Sequence, residues 1–584
     1  MKTQRNSAID ALKGLAIIAV ALYHFGGGYL PYGYLGVDVF FVVGGYLLIG
    51  GLKRRIEDNS FNYWPFLFRK IVRLWPLVII SSIAAFSIGY AIMLPDDYEN
   101  LAESAIASSV FANNILQCIT TKNYWNIVNL YKPLMHLWYV GVLMQAYVIL
   151  PIVYLLFNRI FGKKGIAIGT IILTLLSFLL YLIPTFSMAW KFYYLPFRIF
   201  EITIGGLLVL WNPQCKKRKT VGWLCFLAML VILCSRSELL SGSIMLLVTV
   251  FLTVLIIWAS NGVELSEAEN HVIQIGAWIG KRSYSIYIWH QVIVAFLFYA
   301  VFPKQTPLVL LLFLLISGVL SAASYQLVEV PLGKVIGSKR KEAVVIATTA
   351  VVTCVLCVVS FQVYSQAGVV RDVPELGIEK KNVHRNMHAE YCDRPYEWDK
   401  DFSSGKIKVL VIGNSYGRDW ANILDEYDEK ELLEVSYVYY TDENLLDRKD
   451  RVNDADYVFF AIGPEIDKTP PQILVDMVPE RLWIIGNKKY GTSNGIIYSH
   501  KNSSTYYDQT AEVEQWMIDM NQEYRSAYGN HFIDLMEPLM HSDNRVSVFT
   551  DDCKFISQDC SHLTQAGAQY YARLIDFSEI FSEH

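Results

Sequence analysis

From Ile9 to about Tyr364 the apolar residues run together in long blocks, whereas after Arg371 the runs shorten and mix with polar positions. A helix of about 17–25 mainly apolar residues spans a bilayer. Ten such blocks are centred near Ala16, Val43, Ser82, Val148, Leu175, Leu207, Leu227, Val248, Val294 and Leu315, and one more near Val352. The later pattern is α/β. Lys408-Val409-Leu410-Val411-Ile412-Gly413 reads as a short buried strand ending in a turn. Val435 to Tyr440, Tyr457 to Gly463, Leu482 to Gly486 and Phe532 to Leu535 read as further strands, with helical spacing between several of them, as over Glu512 to Tyr524. Strands alternating with helices predict a parallel sheet covered on both faces, a three-layer α/β domain. The expected organisation is a multi-pass α-helical membrane domain over 1–335 and an additional transmembrane helix over 336–366. A connector over 367–405, containing Pro374 and Pro395, then leads to an α/β domain over 406–584.

Charge supplies an orientation. Lys2, Arg5 and Lys13 open the first block; Lys53, Arg54 and Arg55 follow the second; Arg159, Lys163 and Lys164 the fourth. Lys216, Lys217, Arg218 and Lys219 follow the sixth, and Lys334, Lys339, Arg340 and Lys341 the tenth. If the blocks simply alternate across the bilayer, every cluster falls on one side. Positive residues mark the cytoplasmic side, so the N-terminus is expected inside and everything after the last block outside. The first block ends in Phe25-Gly26-Gly27-Gly28 with no small-x-small cleavage site, so it reads as a span and not as a cleavable signal.

Composition agrees with this division. Of 584 residues 53% are hydrophobic and the mean hydropathy is +0.31, more apolar than a soluble chain of this length. The net charge of -4 adds little, and no basic run interleaved with aromatics points to nucleic acid. Cys118, Cys215, Cys225, Cys234, Cys354 and Cys357 lie in the membrane half as small apolar filler. Cys392, Cys553 and Cys560 lie in the polar half, where a Cys553–Cys560 bridge or a bridge from Cys392 to either one is open.

Ionisable residues within a membrane are costly, so each is a candidate for function. His24 sits near the end of the first block, with Lys13 eleven positions earlier, about three helical turns, on roughly the same face. A base above a cation suits an anionic thioester substrate; the plainer alternative is an interfacial histidine bonded to a carbonyl. Asp38 opens the second block. Arg69, Lys70 and Arg73 head the third, with Arg69 and Arg73 on one face, either as topology charges or as a clamp for donor phosphates. Arg198 and Glu201 form a potential ion pair or line a cavity.

Together Gly36-Val37-Asp38-Val39-Phe40-Phe41, Arg69-Lys70-x-x-Arg73, Pro133-Leu134-Met135-His136-Leu137-Trp138 with Gln145, Ser283-Tyr284-Ser285-Ile286-Tyr287-Ile288-Trp289-His290 and Val328-Glu329-Val330-Pro331 resemble the successive signatures of membrane acyltransferase family 3. The resemblance covers about the first 335 residues. It implies acetyl-coenzyme A as the donor on the cytoplasmic side, a part for His24 in acyl movement, and donor contacts from Arg69 and Arg73, with Lys70 and Lys13 beside them. Lys13 stands where the family has arginine, and Gly44 where serine is frequent. The stretch Tyr139 to Gln145 lacks the family's glutamates.

In the polar half Gly413-Asn414-Ser415-Tyr416 follows a buried strand and precedes a helix, which exposes the Ser415 hydroxyl. Near the end, Asp559-Cys560-Ser561-His562 supplies a base, His562, and an acid, Asp559, to orient it; Thr564 caps the helix that follows. This order resembles the SGNH (GDSL-like) hydrolase family over about Lys406 to His584, with Asn414 in place of aspartate. The family's oxyanion-hole asparagine is missing at Ile462-Gly463-Pro464-Glu465. The N–H groups of Ser415 and Gly463, or the side chains of Asn487 and Asn494, are the substitutes on offer.

The expected protein is an O-acetyltransferase of a bacterial inner membrane. It would move acetyl from cytoplasmic acetyl-CoA to hydroxyls of a cell-surface polysaccharide (lipopolysaccharide, capsule or peptidoglycan) through an extracytoplasmic Ser415-His562-Asp559 set, with no metal. The alternatives are a glycan O-acetyl esterase, and a membrane transporter or sensor with a glycan-binding outer domain.

Overall fold

The computed structural model describes residues 7–26, 28–120, 130–211, 218–236, 241–260, 267–300, 305–382, 387–428, 431–461, 463 and 470–581. Lys2, Arg5, Cys215, Lys216, Lys217, Ile462, Pro464 and Glu465 lie outside the described residues. The chain forms two compact units, Met1–Ile92 with Asp97–Tyr364, and Met93–Asp96 with Ser365–His584.

In the first unit a helix stands at each of the eleven expected centres: Ser7–Phe25, Gly36–Glu57, Tyr63–Ile92, Trp138–Phe161, Gly165–Leu182, Leu195–Leu210, Arg218–Cys234, Gly242–Ser260, Ser283–Ala300, Pro307–Ser324 and Lys339–Ser365. Among the described residues eight stretches are long and apolar enough to cross a membrane, Met135–Leu182 being one. Leu195–Leu210 and Arg218–Cys234, at 16 and 17 residues, are shorter. The helices are sorted for lipid. On Pro307–Ser324 the inward stripe is Val309, Phe313, Ser317, Ser321 and Ser324, while Leu311, Leu314, Leu315 and Val319 face out. Small polar residues inside and leucines outside is the inverse of a soluble bundle, because lipid rewards no burial of leucine and small residues let helices approach.

Among the described residues five helices stand outside the expected set: Pro95–Ser109, Asn113–Thr120, Met188–Tyr193, Glu267–Gly280 and Val330–Val335. Glu267–Gly280 lies against the first span through glycines. A Cβ at Gly280 would sit 1.7 Å from the Asp10 carbonyl oxygen, and one at Gly14 would sit 2.3 Å from that of Gly276. Backbones meet there, so any side chain at these positions would force the helices apart.

In the second unit the strands are β1 (Ile407–Gly413), β2 (Leu433–Tyr439), β3 (Tyr457–Ala461), β4 (Leu482–Ile485), β5 (Thr510–Glu512), β6 (Phe532–Ile533) and β7 (Arg545–Ser547). The main sheet runs β2-β1-β3-β4-β6, all parallel, and β5 pairs antiparallel with β7. β1 is central, with Val411 paired to Tyr437 on one side and Phe459 on the other. Its alternate residues feed two cores: Val409 and Val411 pack with Trp420, Leu424 and Tyr571, and Leu410 and Ile412 with Leu445, Leu474 and Leu482. A strand buried on both faces reads as an unbroken apolar run, which is why it is legible in sequence.

Candidate active site

The first span carries Lys13 and His24. The Lys13 ammonium lies 2.8 Å from Asp10 Oδ1. With Lys70 and Arg73 it lines a cavity of about 240 Å³ whose walls include Gly44, Tyr139 and Tyr287. Lys70 Nζ lies 4.0 Å from the centre of the Tyr147 ring. Arg69 is not on this wall, and its Nε is buried without a hydrogen-bond partner among the described residues. Three of the four expected donor-binding cations therefore share one cavity, on the face set by Lys70 and Arg73. Three cations around one hollow in a low-dielectric surround attract a polyanion strongly. A π-helical turn over Tyr325–Glu329 holds Glu329, which accepts from the Ser285 N–H at 3.1 Å and from the Ser285 hydroxyl.

His24 and two other histidines are buried together. His24 Nδ1 is 3.0 Å from His290 Nε2, and His290 Nδ1 is 2.6 Å from the Tyr287 carbonyl oxygen. His136 bonds through Nε2 to the Ile288 carbonyl at 3.0 Å, its ring centre 5.2 Å from that of His290. The Tyr287 hydroxyl donates to the His136 carbonyl oxygen, and its ring, a wall of the cationic cavity, lies 5.3 Å from the His290 ring. Asp38 belongs elsewhere. Arg198 Nη1 donates to Asp38 Oδ1 at 2.8 Å and to Glu201 Oε1 at 2.6 Å, all three residues buried. This set is a brace between helices, since removing either partner strands a buried charge.

In the second unit Gly413 ends β1 because a Cβ there would lie 2.0 Å from the Ala461 carbonyl oxygen. Asn414 then caps the helix Ser415–Tyr427, its Oδ1 accepting from the Tyr416 N–H at 3.0 Å and the Gly463 N–H at 3.3 Å. The Gly463 N–H is thus already engaged. Asn494 is engaged too: it donates to the Ser557 and Gln558 carbonyls and accepts from the Cys560 thiol at 3.2 Å, so it shapes the Asp559 loop. Asn487 is buried against Met520 and Asn521. None of these three is an open oxyanion donor, which leaves the Ser415 N–H.

His562 Nδ1 is 2.6 Å from Asp559 Oδ2, and Asp559 Oδ1 accepts from the N–H groups of Ser561 at 2.9 Å and His562 at 2.7 Å. Desolvation pushes the Asp559 carboxyl up, but the His562 hydrogen bond, the imidazole charge and the two N–H donors outweigh it and hold it well below the usual carboxylate range. Ser415 starts the helix that anchors this loop. One turn on, Asp419 Oδ1 accepts from the Leu563 N–H at 3.3 Å. Buried Lys488 bonds Asp419 Oδ2 at 2.5 Å and the Ser561 carbonyl at 2.7 Å, its ammonium 4.1 Å from the centre of the Tyr416 ring. The Asp-His loop is therefore tied to the helix that Ser415 starts, through Asp419 and Lys488. Cys392, Cys553 and Cys560 are all free thiols. The Cys392 thiol donates to the Leu563 carbonyl oxygen at 3.8 Å and lies 3.4 Å from His388 Nε2. Burial, with Asp419 and Asp559 nearby, pushes the Cys392 thiol up to about 12. A thiol so held exchanges slowly.

A model of the acyltransferase domain of family 3 matches residues 6–325, more than half of the chain. The chain belongs to acyltransferase family 3. Within that family's domain fall the cationic cavity and the three histidines. The peptidoglycan O-acetyltransferase OatA of Listeria monocytogenes is 27% identical over 312 residues, 49% of each protein. The O-acetyltransferase OatA of Staphylococcus aureus is 25% identical over 350 residues, 56% of this chain and 57% of that one. The chain spans about half the length of these curated relatives. No solved structure matches.

Sequence alone does not single out two site residues of this family member. His290 stands in it only as the end of a motif, and its partner His24 lies 266 positions away. Lys488 follows the buried strand β4 in Gly486-Asn487-Lys488, and a lysine immediately after such a strand is the signal that it is paired.

Proposed function

We propose that this membrane protein is an O-acetyltransferase that takes acetyl from cytoplasmic acetyl-CoA and places it on hydroxyls of a cell-surface polysaccharide. Peptidoglycan is the first acceptor to test, since it is the one named for the Listeria relative. In this reading 1–335 is the membrane acyltransferase domain, 336–366 an additional span and 367–405 a connector. Residues 406–584 are the extracytoplasmic domain, and the N-terminus is cytoplasmic, as the basic clusters require. The observation that carries it is the cavity shared by Lys13, Lys70 and Arg73 with Tyr287, whose ring lies 5.3 Å from that of His290, the buried neighbour of His24. The cations meet the donor's phosphates, Arg69 stands near them on the third span, and the thioester reaches the histidines. His24 acts on the thioester. Ser415 is the nucleophile of the outer domain, His562 its base and Asp559 the carboxylate that holds His562 in place. The serine takes the acetyl covalently and hands it to a sugar hydroxyl, so one hard transfer becomes two easier ones.

The test compares acetylation of the surface glycan in cells with and without the gene. Acetyl gained with the gene supports the transferase; acetyl lost with the gene establishes an esterase instead. No change in either direction, together with full function of Ser415→Ala, would leave a transporter or sensor.

A further inference from the structure

We infer that Lys488 and Asp419 are the positioning residues of the second unit, a buried ion pair that sets where His562 stands relative to Ser415. The inference rests on the proposed roles of Ser415 and His562 and goes beyond them by assigning what fixes their placement.

Each hydrogen bond of the pair has one possible direction. The Lys488 ammonium can only donate, and it bonds Asp419 Oδ2 at 2.5 Å and the Ser561 carbonyl oxygen at 2.7 Å. It also lies 4.1 Å from the centre of the Tyr416 ring, whose hydroxyl donates to the Lys488 carbonyl oxygen at 3.3 Å. Asp419 Oδ1 accepts from the Leu563 N–H at 3.3 Å.

The places of these partners in the chain give the contacts their meaning. Ser561 and Leu563 are the residues immediately before and after His562. Tyr416 immediately follows Ser415, and Asp419 lies one turn along the helix that Ser415 begins. One ion pair therefore holds the start of that helix and both flanks of His562. It holds the loop by its backbone, at one carbonyl and one N–H, while Asp559 bonds the His562 ring within the loop.

Stability alone does not call for this pair. The Lys488 and Asp419 side chains are 0% and 1% exposed, and withdrawing two charges from water costs much of what their attraction returns. Apolar side chains of similar size would fill the same space without that cost. They would supply neither a donor for the Ser561 carbonyl nor an acceptor for the Leu563 N–H. The contribution peculiar to the pair is geometric, and geometry matters because a base must stand within hydrogen-bond reach of the proton it takes.

The test uses the full chain in detergent micelles with p-nitrophenyl acetate, counting only the hydrolysis that Ser415→Ala abolishes. Lys488→Met/Asp419→Leu removes both charges together, so the unfolding transition should stay near that of wild type. Turnover should nevertheless fall about 10²-fold with KM unchanged, because the ester still binds while the base is misplaced. Hydrogen exchange of the Leu563 amide, which loses its acceptor, should quicken. Wild-type turnover in this stable double variant would overturn the inference. So would a loss of turnover with Leu563 exchange unchanged, since the loop would then be undisturbed. If the double variant does not fold, Lys488→Met/Asp419→Asn decides, because asparagine keeps an oxygen for the Leu563 N–H. A loss of about tenfold there supports the inference and wild-type turnover overturns it. Ester hydrolysis at the wild-type rate by Ser415→Ala would instead overturn the reading of Ser415 itself, and the inference with it.

Discussion

Each of the two units holds a candidate histidine, and the surroundings of the two differ. In the second unit His562 contacts a carboxylate, Asp559, in a partly exposed loop. In the membrane unit His24 Nδ1 lies 3.0 Å from His290 Nε2, and His290 Nδ1 lies 2.6 Å from the Tyr287 carbonyl oxygen, all of it buried. The difference follows from the surroundings. A lone carboxylate inside a membrane protein needs a cation to neutralise it, as Asp38 and Glu201 have Arg198. A carboxylate at a wet edge needs only hydrogen bonds, and Asp559 has three from its own loop. A histidine is paired with a charged group where water is near and with another imidazole where it is not.

Making the Asp559–His562 pair resemble the uncharged surroundings of His24 is the sharpest way to break this comparison. Asp559→Asn replaces the charge with a neutral amide that can hold His562 in the wrong tautomer. Acetyl transfer to the glycan should fall about 10⁴-fold, read as turnover at saturating acceptor. A loss of tenfold or less would mean that the carboxylate is dispensable. The pH dependence has a definite sign. The Asp559 carboxyl is depressed in the fold, so its bonds to the loop are intact above the ordinary carboxylate value of about 4 and are lost only as pH falls well below it. Hydrogen exchange of the Ser561 and His562 amides should therefore stay slow at pH 4 and quicken at lower pH.

Lys488 shows that the second unit also has a buried charge to balance. Lys488→Met strands Asp419 and should destabilise that unit by about 3–5 kcal/mol, measured by its unfolding transition. The double variant Lys488→Met/Asp419→Leu should recover most of this, because two apolar side chains leave no orphan charge. If the single variant is as stable as wild type, Lys488 does not hold the Asp559–His562 loop.

Much of this is legible in the sequence. The eleven helices are readable because an apolar block of membrane length would be insoluble anywhere but in a bilayer, and β1 because a strand buried on both faces is apolar throughout. Asp559 and His562, three residues apart, are readable as a pair because their contact is local. Helix Glu267–Gly280 is not, since Glu267, Glu269 and His271 break its apolar run and its packing depends on the backbone approach at Gly276 and Gly280. His24–His290 and Asp419–Lys488 are not, because residues 266 and 69 positions apart meet only through tertiary structure. The cavity likewise selects Lys70 and Arg73 over the pair Arg69 and Arg73 that helix spacing favours. The smallest effect expected follows from the same cavity. Gly44 has only Leu143 within reach of an added Cβ, at 4.0 Å, so Gly44→Ser should change stability and turnover by less than about 1 kcal/mol. A large loss would show that the cavity wall has no room for a hydroxymethyl group.

The relay from His24 to Ser415 is tested most directly by following the acetyl group itself. Full-length protein in vesicles is given isotopically labelled acetyl-CoA, quenched, and mapped by mass spectrometry. Label is expected on Ser415 in the wild type and absent from Ser415 in His24→Asn, with no glycan product from Ser415→Ala. Glycan acetylated at the wild-type rate by Ser415→Ala would contradict transfer through this serine.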